Sequence, residues 1–194
     1  YQQAIKITPD FAELHHNLGT VLMNLDKLTE AIKHYELALK INPDYVEASF
    51  DLGMLYSNLQ QHEMAVTFFK KVIYHRADDI EAFINLGDSF FNLGEVNEAI
   101  AYTKKALELN PNHVEAHFSL GYILNEIKQK DAAVKSFQKA IELNPDYTDA
   151  HYNLARIYES LGQVNEALKT YEHTLVINPN YTRSKRNLSL LQLG

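Results

Sequence analysis

The sequence predicts an all-α fold, a solenoid of antiparallel helix pairs, on three observations. The phrase LNPNHVEAHFSLG, Leu109 to Gly121, returns 34 residues later as LNPDYTDAHYNLA, Leu143 to Ala155. Columns of like residues keep that interval through the whole chain. Between the columns, apolar residues recur at helical spacing, as in Ala116, Leu120, Ile123, Leu124 and Ile127. A fixed period of about 20–50 residues is the signature of stacked repeats, each too small to bury a core alone.

Four columns carry the period. Pro9, Pro43, Pro111, Pro145 and Pro179 share one, with Ala77 in the vacant slot. Gly19, Gly53, Gly87 and Gly121 share another, which Ala155 completes. Leu18, Leu52, Leu86, Leu120 and Leu154 form the third, and Ala31, Ala65, Ala99, Ala133 and Ala167 the fourth.

Each period divides into two helices. An Asx residue follows the proline, with Glu three places on: Asp44 and Glu47, Asp78 and Glu81, Asn112 and Glu115. This spacing predicts a capping box at the start of the first helix. A short polar turn follows, with Gly94 or Gly162 suited to a left-handed helix end. Thr29, Asn97, Asp131 and Asn165 are the expected N-caps of the second helix. The next proline ends that helix. Glycine on the first helix and alanines such as Ala133 and Ala140 on the second let the two backbones approach, while Leu124 and Phe137 fill the seams.

With these residues the chain resembles the tetratricopeptide repeat family. The leucine–glycine pair, the alanine column, the proline and the aromatic at Tyr35, Phe69, Phe137 and Tyr171 all match. The family's usual tryptophan is replaced by His15, Ser49, Phe83, His117 and His151. The resemblance covers essentially the whole chain and implies a right-handed superhelix with first helices lining a concave groove. It divides the chain into a truncated second helix over 1–11, repeats over 12–45, 46–79, 80–113, 114–147 and 148–181, and a lone helix over 182–194. Tyr1, Ala4 and Pro9 fit the grid in the truncated piece. LHHNLG, AFINLG and AHYNLA are similar to repeats of O-linked N-acetylglucosamine transferases and of bacterial repeat proteins.

Composition excludes several functions. A net charge of -7 argues against nucleic acid, which wants a basic face. No run approaches eighteen apolar residues, so membrane insertion is not expected. The chain has no cysteine, which removes thiol chemistry, disulfides and cysteine-ligated zinc. It starts at Tyr1 with no methionine or signal-like segment and reads as an excerpt of a longer protein, with a cytoplasmic location expected. His113 and His117 are four apart, but no third ligand joins them and His117 stands in the aromatic slot, so no metal or other cofactor is expected. No serine–histidine–acid set or phosphate loop stands apart from the grid; no catalytic residue and no enzymatic activity are expected.

Candidate binding residues come from the first helices. The slot before leucine holds Asn17, Asp51, Asn85, Ser119, Asn153 and Asn187. A carboxamide both donates and accepts, so a ladder of them can hold a peptide backbone without reading its sequence. The glycosyltransferase resemblance implies such a ladder; a tolerated polar residue on an exposed face is the other reading. One residue earlier stand His16, Phe50, Ile84, Phe118 and Tyr152, either groove anchors or packing between adjacent first helices. Met54, Phe91 and Tyr122 lie one turn on. Glu13, Glu47, Glu81, Glu115 and Asp149 put negative charge where the family's carboxylate clamp needs positive, so chaperone tails are not expected.

The leading reading is a non-catalytic scaffold binding an extended peptide or partner helix in the groove. The alternatives are the substrate-selecting arm of a larger enzyme such as a glycosyltransferase, and self-association through the apolar terminal helix with Leu188, Leu190, Leu191 and Leu193.

Overall fold

Eleven helices occupy the described residues of the computed structural model, which describes Gln3 and residues 7–193. They are α1 Ala12–Asn24, α2 Leu28–Ile41, α3 Val46–Asn58, α4 His62–His75, α5 Ile80–Asn92, α6 Val96–Leu109, α7 Val114–Glu126, α8 Lys130–Leu143, α9 Thr148–Ser160, α10 Val164–Ile177 and α11 Thr182–Leu193. Odd-numbered helices start 34 residues apart, and so do even-numbered ones. No strand occurs among the described residues. Tyr1 and Ala4, which the period places in a truncated helix, lie outside them.

The chain forms two compact units, Tyr1–Tyr102 and Thr103–Gly194. In the first, α1 to α5 pack each on the next. In the second, α7 to α11 do the same.

One backbone turn links each odd helix to the following even one. The Lys27 N–H donates to the Leu22 carbonyl at 2.9 Å, and Gln61 to Tyr56, Glu95 to Phe90, Gln129 to Leu124 and Gln163 to Tyr158 repeat the bond at 2.8 to 2.9 Å. The residue before each donor is left-handed, with φ between 58° and 82°. This is the Schellman arrangement, in which the backbone satisfies the helix's own last carbonyls. Gly94 and Gly162 occupy that position as expected, but Asp26, Gln60 and Lys128 occupy it too.

The expected side-chain caps are corrected here. The even helices begin earlier than the polar signal suggests, so Thr29, Asn97, Asp131 and Asn165 are their second residues. Lys27, Gln129 and Gln163 are the N-caps and make no side-chain cap bond, because the backbone turn has already placed them. The capping boxes are absent as well. Tyr45 and His113 cap α3 and α7 without side-chain bonds, which leaves Asp44 and Asn112 one residue outside the helix. The asparagine before the proline closes the turn instead: Asn42, Asn110, Asn144 and Asn178 each accept through Oδ1 from the N–H two residues on, at 3.0 to 3.2 Å. These Asx turns lead the chain around each proline. Asp79 is the exception, accepting from the Ala82 N–H at 2.9 Å as a side-chain N-cap of α5.

The core follows the columns. Ala31, Ala65, Ala99, Ala133 and Ala167 are fully buried, as are Tyr35, Phe69, Phe137 and Tyr171. On α2, α4 and α8 the aromatic lies close against the glycine of the preceding odd helix. A Cβ built on Gly121 would meet the Phe137 ring at 3.0 Å, and one on Gly19 the Tyr35 ring at 2.8 Å. Leu52, Leu55, Leu86, Ile123 and Ile157 fill the remaining space.

Candidate functional site

The polar slot before leucine lies half-buried on the odd helices, and its members differ in what they hold. In the first unit, Asn85 donates Nδ2–H to the Glu81 carbonyl at 2.8 Å, one turn back on its own helix. Asp51 accepts at Oδ2 from His16 Nε2 at 2.8 Å, and Asn17 is half-buried on α1. In the second unit, Asn153 repeats the Asn85 bond, to the Asp149 carbonyl at 2.8 Å. Asn187 instead donates to the Tyr171 hydroxyl at 3.0 Å, and Ser119 is buried. The two back-bonded carboxamides each use one N–H and retain the second N–H and Oδ1 for another partner.

The bulky column sits at seams between successive helix pairs. The ring centroid of Phe118 is 5.6 Å from that of Phe137 and 5.0 Å from that of Tyr147. Tyr152 lies 6.0 Å from Tyr171 and 5.4 Å from Tyr181. His16 lies 5.6 Å from Tyr35 and 5.0 Å from Tyr45. Each ring is therefore held between the even helix of its own pair and the tyrosine that starts the next odd helix. These spacings suit offset or edge-on aromatic contact. His16, Phe118 and Tyr152 remain half-buried, Ile84 is buried, and Tyr122 is 40% exposed.

The seam at Phe50 breaks this pattern. Phe50 meets Phe69 edge-on at 5.7 Å, but Asp79 stands where Tyr45, His113, Tyr147 and Tyr181 stand at the other seams. An open cavity of about 360 Å³ results, lined by His16, Glu47, Phe50, Asp51, Arg76, Asp79 and Glu81. Arg76 and Ala77 likewise replace the Asn–Pro pair of the other turns. The Arg76 guanidinium pairs with Glu47 at the rim. Burial pushes the Glu47 carboxyl up, but its own backbone N–H and Arg76 outweigh that and leave it below its ordinary value. His16 Nδ1 meets the Tyr45 hydroxyl at 3.2 Å, and Nε2 meets Asp51 Oδ2 at 2.8 Å. Burial, with Asp51 nearby, pushes the Tyr35 hydroxyl up to about 12.

The histidines in the aromatic slot have structural partners. Nε2 of His15, His117 and His151 lies 3.0, 2.8 and 2.8 Å from the carbonyls of Pro9, Pro111 and Pro145, six residues earlier. Each ring ties the proline turn to the helix that follows it. His113 lies 3.5 Å from Glu115. Among the described residues no group of three or more acidic or histidine side chains converges on a metal-sized site. None of their helices is long and apolar enough to cross a membrane.

Sequence reading missed the cavity over Phe50. Its signal is the joint loss of three columns at Arg76, Ala77 and Asp79, of which Ala77 alone stood out. The acids expected in capping boxes also have other partners. Asp149 Oδ1 accepts from the Tyr181 hydroxyl at 2.5 Å, and Glu47 holds Arg76.

Comparison with known proteins agrees with this geometry. Four family models, each described as the tetratricopeptide repeat, match residues 12–45, 34–67, 84–148 and 128–188. Among solved structures, the chain is similar to YrrB, a TPR protein with an unusual peptide-binding site, at 25% identity and a TM-score of 0.72, covering 96% of each chain. It is similar to MamA at 25% identity and a TM-score of 0.75, covering 85% of this chain and 96% of that one. TTC0263, a thermophilic TPR protein of Thermus thermophilus, shares the fold at 23% identity and a TM-score of 0.76, covering 94% of this chain and all of that one. No curated protein sequence matches the chain.

Proposed function

Because the chain belongs to the tetratricopeptide repeat family, we propose that it is a non-catalytic interaction scaffold whose odd-numbered helices hold an extended peptide or partner helix. The observation that carries this reading is the polar slot, which places Asn85 and Asn153 half-buried with one N–H fixed and the rest of the carboxamide available. An acceptor and a donor held at fixed angle on a helix face suit a peptide backbone, whose own groups need both. Half-buried rings at Phe50, Phe118 and Tyr152 stand one residue away and offer apolar surface beside the polar row. YrrB, similar over 96% of each chain, has a peptide-binding site, which supports the same class of ligand here.

The test is selection of peptides from a displayed random library, followed by calorimetric titration of the winners. Saturable binding weakened by substitution at Asn85 or Asn153 is the expected result. Binding that ignores both positions removes the odd-helix face from consideration. Self-association is a second reading, favoured by Leu190 and Leu193, which are 59% and 86% exposed on α11. Light scattering over a concentration series tests it, and a monomer at all concentrations rejects it.

A further inference from the structure

We propose that the cavity over Phe50 receives an arginine side chain of the bound peptide, an inference that rests on the peptide-binding reading and gives it a sequence preference. The cavity exists because Asp79 interrupts a column otherwise made of rings, Tyr45, His113, Tyr147 and Tyr181. At the Tyr152 seam, Tyr181 packs at a tilt against Tyr152 and donates to Asp149, and that seam is filled by the chain's own ring. At Phe50 no such ring arrives from the next helix, and a space of about 360 Å³ stands beside a half-buried phenylalanine.

Charge selects the guest. The lining carries four carboxylates, Glu47, Asp51, Asp79 and Glu81, against one guanidinium and one imidazole. Glu47, the counterpart of Asp149, is held by Arg76 through Oε1, and Asp51 by His16 through Oδ2. Asp79 commits Oδ1 to the Ala82 N–H, one of the several hydrogen bonds that a carboxylate can accept. A cation with a flat face and several N–H donors fits both surfaces, stacking on Phe50 while donating to Asp51 and Asp79. Guanidinium meets this description better than ammonium, which is compact and strongly hydrated.

The experiment follows amide and aromatic NMR signals of the full chain during titration with N-acetyl-arginine methylamide. Its citrulline counterpart keeps the shape without the charge, and its tyrosine counterpart tests an aromatic guest. Saturable shifts at Phe50, Asp51 and Asp79 with the arginine compound are expected, with citrulline and tyrosine binding at least about tenfold more weakly. Asp79→Tyr should restore the column and abolish the shifts. Asp79→Asn keeps a good helix cap and removes only charge, so it guards against misfolding of the first variant; it should weaken arginine binding about tenfold, the scale of one charged hydrogen bond. Equal binding of citrulline or tyrosine, or indifference to both substitutions, overturns the proposal. Library peptides lacking arginine that bind as tightly as those bearing it also overturn it and leave the scaffold's peptide role standing. Failure of every peptide, with the arginine compound still held, overturns the peptide role and leaves the pocket's selectivity.

Discussion

The ring of Phe69 lies over Gly53 so closely that a Cβ built there would sit 2.7 Å from Cε1. Alanine at this position gains about 1 kcal/mol of helix propensity but must displace a fully buried ring. Gly53→Ala should therefore cost on the order of 1–3 kcal/mol net. Gly121→Ala, whose nearest ring atom is 3.0 Å away, should cost less. Urea denaturation of both variants checks the order, and equal midpoints would show that the ring yields freely.

Phe118 sits between Phe137 and Tyr147, so Phe118→Ala should destabilise the second unit. A fully buried phenylalanine costs about 3–5 kcal/mol on truncation, and Phe118 is only half-buried, so about 2–4 kcal/mol is expected. Calorimetric melting reads this directly. A shift near zero would free Phe118 to serve as a ligand anchor alone.

The double variant Asn85→Ala, Asn153→Ala should weaken peptide binding by roughly five- to a hundredfold, since each lost hydrogen bond is worth about 0.5–1.5 kcal/mol. Stability should barely move. The Nδ2 bonds run to carbonyls of the same helix, and alanine is the better helix former. Titration and circular dichroism melts on the same samples separate the two effects. Unchanged affinity moves the ligand elsewhere.

Stability should fall at both ends of the pH scale. Burial and then the neighbouring His15 hold the His34 imidazole below its ordinary value. Burial, opposed by the bond to Pro145 and aided by His173, does the same to His151. The unfolded chain, with histidines near about 6.5, then binds more protons than the folded one, so stability is lost as pH falls below about 6.5 toward the lowered folded values. On the alkaline side burial pushes the hydroxyls of Tyr35 and Tyr181 up to about 12. The unfolded chain releases those protons near about 10, so stability is lost as pH rises from about 10 to 12. Urea midpoints from about pH 5 to 11 should trace a plateau between the two limbs. An acid limb unchanged by His34→Gln would assign it to other groups.

The period was legible because each pair meets the same neighbours, so each core position makes the same demand every 34 residues. Ala133 is fully buried for that reason, and so are its four counterparts. The caps were misread because the turns before the even helices are closed by main-chain bonds, which leave no trace in side-chain identity. The polar slot was legible as a column but not in its detail. Asn85 and Asn187 share the position, yet one bonds its own helix and the other a tyrosine on the even helix before it. What differs is the neighbour, and a single column does not display its neighbour. The cavity at Phe50 lay hidden for the same reason, since Arg76 and Asp79 meet His16, Glu47 and Phe50 only in space.

The five backbone-closed turns bear on how such a chain can change over generations. Their bonds use only N–H and C=O groups, which every residue but proline supplies in full. Mutation therefore has wide licence there, and the left-handed position already hosts Asp, Gln, Gly and Lys, three of them at a local conformational cost of roughly 1–2 kcal/mol. Duplicating an even helix together with the odd helix that follows it needs no matched cap chemistry at the new odd-to-even junction, and the loop side chains are left as raw material for new surface. A lineage can thus lengthen the array first and specialise individual seams afterwards, one substitution at a time.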